Sequence, residues 1–345
     1  MDELNKLVTI RSIQLDQSLE ALNFAWKIKM PDSRTPSWIA DWHEERLDQR
    51  PPLHSCLFKA AADTKPSVRY STSGNLLVVE GVLIDDIEDL NVNLDAAHRI
   101  FAAINVECSV DVKHAQSRLE ALSTLLVQDD NRSSYLPQRL SAVERQRCMR
   151  SFCAFLTQLS SSTHFEERTA RCDSCMAPLQ PPLSHEPDVV YTCPICRQGN
   201  FDLCRTCYQD DRYCPHPEHK PLLYQTKFSA LEFSADAATV EMVRVISQGE
   251  TPTFFLRLAD RAFNRRTVFR TNTGVYGLCP RTVRGGDTVV VLFGGRTPFI
   301  LRRIEGPDAS RFRLISDCYL EGYMDGEAVR LVNELHRKPQ QFVLA

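Results

Sequence analysis

The feature that most constrains this chain is a run of three Cys-x-x-Cys pairs followed by a His-x-x-His pair. Each pair supplies two ligands to a metal, and tetrahedral Zn²⁺ takes four thiolate or imidazole ligands. Four consecutive pairs therefore predict two structural zinc ions. The predicted ligands are Cys172, Cys175, Cys193, Cys196, Cys204, Cys207, His216 and His219.

Cysteine usage also indicates the compartment. The chain has 345 residues and thirteen cysteines, of which those outside the cluster are scattered without pairing. A secreted disulfide scaffold would be short and evenly rich in cysteine. The N-terminus, MDELNKLVTI, lacks the apolar core of a signal peptide, and no apolar run reaches the ~18 residues that span a bilayer. We therefore expect reduced thiols, a cytoplasmic or nuclear location and no membrane association.

The overall composition is that of a globular protein with an ordinary core. The chain is 43% hydrophobic and 25% charged, with a formal net charge of -3. Lys and Arg do not cluster, so the electrostatic footprint of a nucleic-acid binder is missing from the sequence. Nucleic acid is not expected among the partners.

Hydrophobic periodicity predicts helices in several parts of the chain. In the segment 137–159, apolar residues recur at about helical spacing. These residues are Leu140, Val143, Cys148, Phe152, Phe155 and Leu156. The other predicted helical segments are 1–30, 113–127, two helices within 237–264, and a final helix that opens at 325–328.

Two hairpins are predicted from β-rich runs around turn residues. One covers 68–87, with Gly74 and Asn75 at its turn, and the other joins 288–293 to 298–303 through Gly294 and Gly295. With a further strand at Arg311 to Cys318, these segments predict an α+β fold. Its body is a helical segment plus a small antiparallel β-barrel, built from the 68–87 hairpin and strands from about 268 to 318.

We expect three domains. Residues 1–168 form a helical region that carries the hairpin, 169–226 form a zinc finger, and 227–345 hold helices and the β-barrel. The finger is thus an insertion that protrudes from the body.

The cysteine-rich segment resembles a ZZ-type zinc finger. The resemblance is carried by Cys-Asp-x-Cys at 172–175, by Cys193 and Cys196, and most specifically by Asp-Leu-Cys-x-x-Cys-Tyr at 202–208. It implies a cross-brace in which the first and third pairs hold one zinc. The second zinc would be held by the second pair with His216 and His219.

Alternatives remain open for this segment. Cys214 lies two residues before His216 and competes with it as a ligand, whereas His185 and Glu218 are expected to be loop residues. A zinc-dependent enzyme would keep an open metal position, which eight ligands for two ions do not leave. A RING-like ubiquitin ligase would be cross-braced too, but the order of its ligands differs. No catalytic residue is predicted.

A second resemblance covers most of 20–335. The motifs at 36–42, 70–74, 265–280, 286–302 and 319–328 resemble the region that follows the HET domain in fungal heterokaryon-incompatibility proteins. The family's signalling part is that N-terminal HET domain, which this sequence does not contain, and a fragment, a truncated gene product and a paralogue without the effector stay open as explanations.

Together, the two resemblances imply a non-enzymatic function. The expected function is binding of a protein or peptide by the finger, with flexible tails or exposed N-termini as the ligands. Asp173 and Asp202 are candidates for acidic contacts, and Asp202 is equally a candidate cap of the local turn.

Overall fold

The computed structural model describes 2–25, 35–40, 55–71, 75–88, 112–130, 138–161, 172–177, 189–193, 201–210, 212, 224–227, 237–263, 266–280, 282–304, 310–334 and 338–345. By contacts, the chain divides into two compact units. Unit 1 consists of Met1–Leu90 and Phe269–Ala345, and unit 2 consists of Asn91–Val268. The predicted three-domain division stays a prediction.

The described helices are numbered here in chain order. They are α1 (Asp2–Asp16), α2 (Val112–Leu126), α3 (Ala142–Ser161), α4 (Arg205–Gln209), α5 (Ala237–Ser247), α6 (Thr253–Phe263) and α7 (Glu327–Glu334). Short 3₁₀ turns occupy Glu20–Phe24 and Ser55–Leu57.

The described strands are numbered in the same way. They are β1 (Val68–Tyr70), β2 (Leu77–Asp86), β3 (Val189–Cys193), β4 (Phe201–Cys204), β5 (Tyr224–Lys227), β6 (Arg266–Arg270), β7 (Tyr276–Pro280), β8 (Thr288–Leu292), β9 (Phe299–Arg303), β10 (Arg311–Asp317), β11 (Tyr319–Leu320) and β12 (Gln340–Leu344).

The main sheet of unit 1 is a ring of strand pairings. Its order is β1-β2-β12-β10-β9-β8, and β8 pairs in turn with β2. The five strands from β2 to β8 in this order therefore form the ring, and β1 is an additional strand that pairs with β2. At Gly81 the two neighbours of β2 lie on opposite sides, because Gly81 is opposite Gln340 of β12 and also opposite Leu292 of β8. A Cβ at Gly81 would lie 2.4 Å from the Val291 carbonyl oxygen. The close approach of β2 to β8 therefore requires glycine.

Strand β8 is buried on both of its faces. All residues of β8 are buried, and alternate residues point to opposite faces. Val290 and Leu292 face a cluster with Phe299, Phe312 and Phe342, whereas Val289 belongs to a second cluster. This explains why β8 is a continuous β-branched run rather than an alternating pattern.

The N-terminal segment from α1 to Trp38 contributes buried side chains to the first cluster. Ile13 of α1 and Leu22 of the first 3₁₀ turn are buried in it together with Trp38. The Leu19 N–H donates to the Gly294 carbonyl at 3.0 Å, so this segment also binds the β8–β9 turn. Gly294 has a φ of +82°, which is the left-handed conformation that favours glycine.

A buried ion pair fixes the start of β8. The side chain of Asp287 is 2% exposed, and Arg302 of β9 donates to both of its carboxylate oxygens, at 2.7 and 2.8 Å. The Arg284 N–H donates to the same carboxylate at 2.8 Å. Bidentate guanidinium contacts of this kind are strong and directional.

In unit 2, α2, α3, α5 and α6 form a helical cluster. Phe152 of α3 packs against Phe255 of α6, with 4.9 Å between the ring centroids. The Ser151 hydroxyl donates to the Thr251 carbonyl at 2.6 Å and accepts from the Phe255 N–H at 2.9 Å. This serine therefore fixes the loop between α5 and α6 against α3.

The start of α3 differs from the sequence prediction by a few residues, and the cause is a cap. The Ser141 N–H donates to Glu144 at 2.8 Å, while the Glu144 N–H donates back to the Ser141 hydroxyl at 3.3 Å. This capping box begins the helix at Ala142. Val143 consequently lies outside the apolar face and is 73% exposed, although the spacing had placed it inside.

The described strands correct the predicted set of sheet partners. The 68–87 hairpin pairs as expected, with Val68 opposite Val79. However, β6 and β7 form a separate three-stranded sheet with β11, and β12 takes a place in the main ring that the sequence analysis did not assign. The pairing of β12 with β10 is also parallel, whereas an antiparallel sheet was expected.

Among the described helices, none combines the length and the apolar character that a membrane crossing requires.

Closure of the ring through β12 leads to a first prediction. Phe342 is 1% exposed and packs against Phe312, with 5.7 Å between the ring centroids. Phe342→Ala should lower the free energy of unfolding by about 3–5 kcal/mol, because it leaves a cavity in the ring core. Gln341→Ala, at an exposed neighbouring position, should change it by less than about 0.5 kcal/mol. Urea denaturation measures both, and equal effects would contradict the described role of β12.

Candidate metal centre

The described part of the cysteine-rich segment 169–226, called the finger below, is a small sheet joined to a short helix. Its strands have the order β4-β3-β5, and both pairings are antiparallel. β4 ends at Cys204, and α4 starts at the next residue. This strand-to-helix junction lies at the Asp-Leu-Cys-x-x-Cys-Tyr motif, so the cysteines of the third pair are held by its geometry.

Four cysteines of this region form one cluster. The sulfur atoms of Cys172, Cys175, Cys204 and Cys207 all lie within 4.8 Å of one another. They belong to the first and third Cys-x-x-Cys pairs, which the sequence separates by a long segment. The cluster therefore joins two distant parts of the chain and is a group that could hold one metal ion.

The first pair is carried by a loop that closes on itself. The Met176 N–H donates to the Cys172 carbonyl, and the Cys172 N–H donates to the Ala177 carbonyl, both at 2.8 Å. Met176 adopts a left-handed conformation, with φ of 62°. The loop thereby turns tightly enough for Cys172 and Cys175 to direct their sulfurs to one point.

The third pair is positioned by the cap of α4. Cys204 is the N-cap residue, and its sulfur accepts a hydrogen bond from the Cys207 N–H at 3.4 Å. The sulfur atoms of Cys204 and Cys175 lie 3.8 Å apart, which brings the two pairs together. One half of the cluster is enclosed, since Cys172 and Cys207 are buried, whereas Cys175 is exposed.

The surroundings of Cys172 and Cys207 shift the pKa values of their thiols in opposite directions. Burial opposes ionisation of Cys172, but hydrogen bonds from the backbone of Cys204, Cys175 and Ser174 outweigh it and lower its pKa to about 7. Burial raises the pKa of Cys207 to about 12. A cation among the four sulfurs would favour the thiolate form of each, because metals bind thiolates.

An aromatic stack holds the sheet of the finger against its helix. Tyr191 of β3 and Tyr208 of α4 stack with 3.6 Å between their ring centroids and 5° between their planes. Leu203, which lies opposite Tyr191 in the β3–β4 pairing, is buried. Both tyrosines belong to the motifs that resemble a ZZ-type finger, but their stacking was not predicted from the sequence.

The second predicted ligand set lies largely outside the described residues. Cys193 ends β3, and its backbone is opposite Phe201 of β4. Cys196, His216 and His219, together with the competing Cys214, are outside the described residues. The assignment of these four ligands stays a prediction.

The helices on either side of the cysteine-rich segment contact each other. The segment lies between α3 and α5, and the Arg150 guanidinium of α3 donates to the Gln248 side chain, which directly follows α5, at 3.3 Å. Arg147 of α3 also lies 3.5 Å from Glu250. The prediction that the segment is an inserted domain stays a prediction.

Comparison with known proteins supports a heterokaryon-incompatibility type of protein. A family model described as the Het-6 beta-barrel domain matches residues 217–340. A similar curated protein is heterokaryon incompatibility protein 6, OR allele, of Neurospora crassa, with 31% identity over 86 residues. The aligned stretch covers 25% of this chain and 12% of that protein. No solved structure matches the chain.

The matched region and the cysteine cluster occupy different parts of the sequence. The family model starts at residue 217, after the last of the four clustered cysteines. It includes β8, β9 and β10 of the ring but not β2. The cysteine cluster is therefore a feature of this chain that the family match does not account for.

The second prediction follows if the first and third Cys-x-x-Cys pairs share one metal ion. Cys172→Ser and Cys207→Ser should each abolish binding of the same ion, because each removes one of four ligands from a single site. The double variant should lose no further ion. Elemental analysis after mild chelator treatment measures this. Cys56→Ser, at an exposed cysteine outside the finger, is the matched control and should keep the full metal content. Loss of two ions in the double variant would contradict a shared site.

Proposed function

We propose that this chain is a zinc-stabilised binding protein of heterokaryon-incompatibility type, in which a ZZ-type finger recognises a protein or peptide partner. The observation that carries the proposal is the cluster of four cysteine sulfurs within 4.8 Å, drawn from the first and third pairs. That combination of pairs is the one a cross-braced finger uses for its first zinc.

Zinc is the metal that this donor set favours. Four thiolates select zinc or an iron–sulfur cluster among the common metals, and a tetrahedral all-cysteine zinc site is structural. When bound, zinc supplies folding free energy, on the order of 10–16 kcal/mol of apparent binding in small modules. A site with four protein ligands has no position for a substrate, so we assign no enzymatic activity to it.

A second zinc follows from the cross-brace. If the first and third pairs share one ion, the second pair and the His-x-x-His pair remain for another. Cys193 supports this arrangement, because β3 holds it beside β4, whose last residue is a ligand of the first site. Its proposed partners are Cys196, His216 and His219.

The third prediction concerns this second site. The purified full chain should carry two zinc ions, and His216→Ala and His219→Ala should each leave one. Cys214→Ser should leave both, because the proposed ligand set of the second site contains His216 and His219 and not Cys214. Elemental analysis under mild chelator competition decides the assignment. Loss of a zinc from Cys214→Ser together with retention of both in His216→Ala would replace His216 by Cys214.

The proposed ligand of the finger is a flexible peptide with an exposed N-terminus. Asp173 supports this choice, because it is a half-buried acid between two clustered cysteines and its carboxylate would complement an ammonium group. Binding through a preformed metal-held loop would also keep the ordering cost low. We place the protein in the cytoplasm, where its thiols would stay reduced.

The fourth prediction tests recognition directly. A library of peptides with free N-termini should contain binders of the zinc-loaded full chain, and N-acetylation of those peptides should weaken binding at least about tenfold, because it removes the terminal charge. Asp173→Asn should weaken binding similarly, whereas Asp210→Asn, at an exposed acid of the same finger, should not. Fluorescence anisotropy measures the affinity of the chain for the free and the acetylated peptides, and the affinity of each of the two variants for the free peptides. Binding that ignores both acetylation and Asp173→Asn would contradict N-terminal recognition.

A further inference from the structure

Two cysteines outside the finger are brought together by the fold. Cys279 lies on β7, and Cys318 immediately precedes β11. Each is 0% exposed, and both belong to one apolar cluster with Phe269 and Leu320. They are not joined by a disulfide in the structure. In the sequence they look unrelated, because 280–317 separates them.

The strand register places these two cysteines opposite each other. In the antiparallel pairing of β11 with β7, Tyr319 is opposite Leu278 and Leu320 is opposite Gly277. The same register, continued by one residue, sets Cys318 opposite Cys279. Side chains alternate between faces along each strand, so both thiols point to the face that carries Leu320.

The hydrogen bonds identify which kind of cross-strand pair this is. The Glu321 N–H donates to the Tyr276 carbonyl at 3.0 Å, so hydrogen-bonded pairs fall at every second position from there. Cys318 and Cys279 therefore form a non-hydrogen-bonded pair. In agreement, the Cys318 N–H donates elsewhere, to the Pro298 carbonyl at 3.0 Å.

This geometry suits a disulfide. Residues of a non-hydrogen-bonded antiparallel pair have Cα atoms about 4.5 Å apart, and their side chains lie closer than in the alternate pairs. Disulfides usually join residues with Cα atoms roughly 4.4–6.8 Å apart. The register therefore places Cys279 and Cys318 at a backbone spacing that a disulfide can span.

We propose that Cys279 and Cys318 form an oxidative modification site, at which a peroxide joins β7 to the residue before β11 through a disulfide. Cys318 reacts first, because β11 is a two-residue strand at the edge of its sheet and opens by breaking few hydrogen bonds.

One molecule of peroxide is the only oxidant that the reaction requires. The Cys318 sulfur attacks one peroxide oxygen, the O–O bond breaks, and the products are a sulfenic acid and water. The Cys279 sulfur then attacks the sulfenic sulfur, and the S–S bond forms as the S–O bond breaks. The proton of the Cys279 thiol leaves with the hydroxide as a second water. Two thiols are oxidised by two electrons, and one peroxide is reduced to two waters.

The disulfide would link the two residues that flank the segment from β8 to β10. The loop it closes contains β8, β9 and β10, which are three of the five strands of the ring. A cross-link around such a loop limits the unfolded chain and thereby stabilises the folded state. The oxidised protein should therefore keep its fold and unfold at a higher temperature.

The test uses the zinc-loaded full chain, treated with hydrogen peroxide and then with an alkylating agent. Trypsin releases Cys279 in the peptide 271–281 and Cys318 in the peptide 314–330, each with a single cysteine. Mass spectrometry should find these two peptides linked, and a reductant should separate them. Cys148 and Cys153 are an internal control, since they are equally buried but lie five residues apart on α3, on different sides of the helix.

The matched variants are Cys279→Ala and Cys318→Ala. Oxidation should raise the Tm of the wild type by about 5–10 °C, and reductant should reverse the rise. Neither variant should show it, and where a variant is too unstable to measure, the linked peptide of the wild type decides alone. The proposal is overturned if both thiols oxidise to sulfinic or sulfonic acids without a link, if either links to another cysteine, or if the thiols stay unreacted after exposure to peroxide in mild denaturant.

Discussion

The double pairing of β2 is the constraint on which the rest of unit 1 depends. β2 comes from the N-terminal part of the chain, yet two of its three partners, β8 and β12, come from the C-terminal part. At Gly81 these two partners approach from opposite sides, and a side chain there would collide with the backbone of β8. Each of the five ring strands thereby pairs with a strand on both sides. None of the five is an edge strand whose backbone groups stay unpaired along one entire side.

This closure explains how the chain tolerates long insertions. The residues of unit 2 enter after β2 and return before β7, so the ring is completed by strands on both sides of them. Inside unit 2, the cysteine-rich segment lies in the sequence between α3 and α5, and Arg150 of α3 contacts Gln248 directly after α5. The contacts that close the ring, such as the pairing of Gly81 with Leu292, are made by residues outside unit 2.

The two kinds of structure in this chain are stabilised by different physics. The ring buries large apolar side chains on both faces, and it fixes one of its few buried carboxylates, Asp287, with a bidentate arginine. Among the side chains of the cysteine-rich segment that the structure describes, Cys172, Leu203 and Cys207 are buried, so two of these three belong to the cysteine cluster. A metal ion held by the four sulfur atoms would link the first and third pairs directly.

The sequence by itself determined what depends on near neighbours. Ligand spacing indicated the metal-binding pairs, and the resemblance to ZZ-type fingers indicated that the first and third pairs share one site. Turn residues such as Gly294 located the β8–β9 hairpin, and helical periodicity located α2, α3, α5 and α6. The tertiary structure decided which distant strands pair. It placed β12 in the ring beside β10, separated β6 and β7 into another sheet, and set Cys279 opposite Cys318. Periodicity identifies a strand and its buried face, but the partner of that strand depends on chain closure and register over hundreds of residues, which no local pattern encodes.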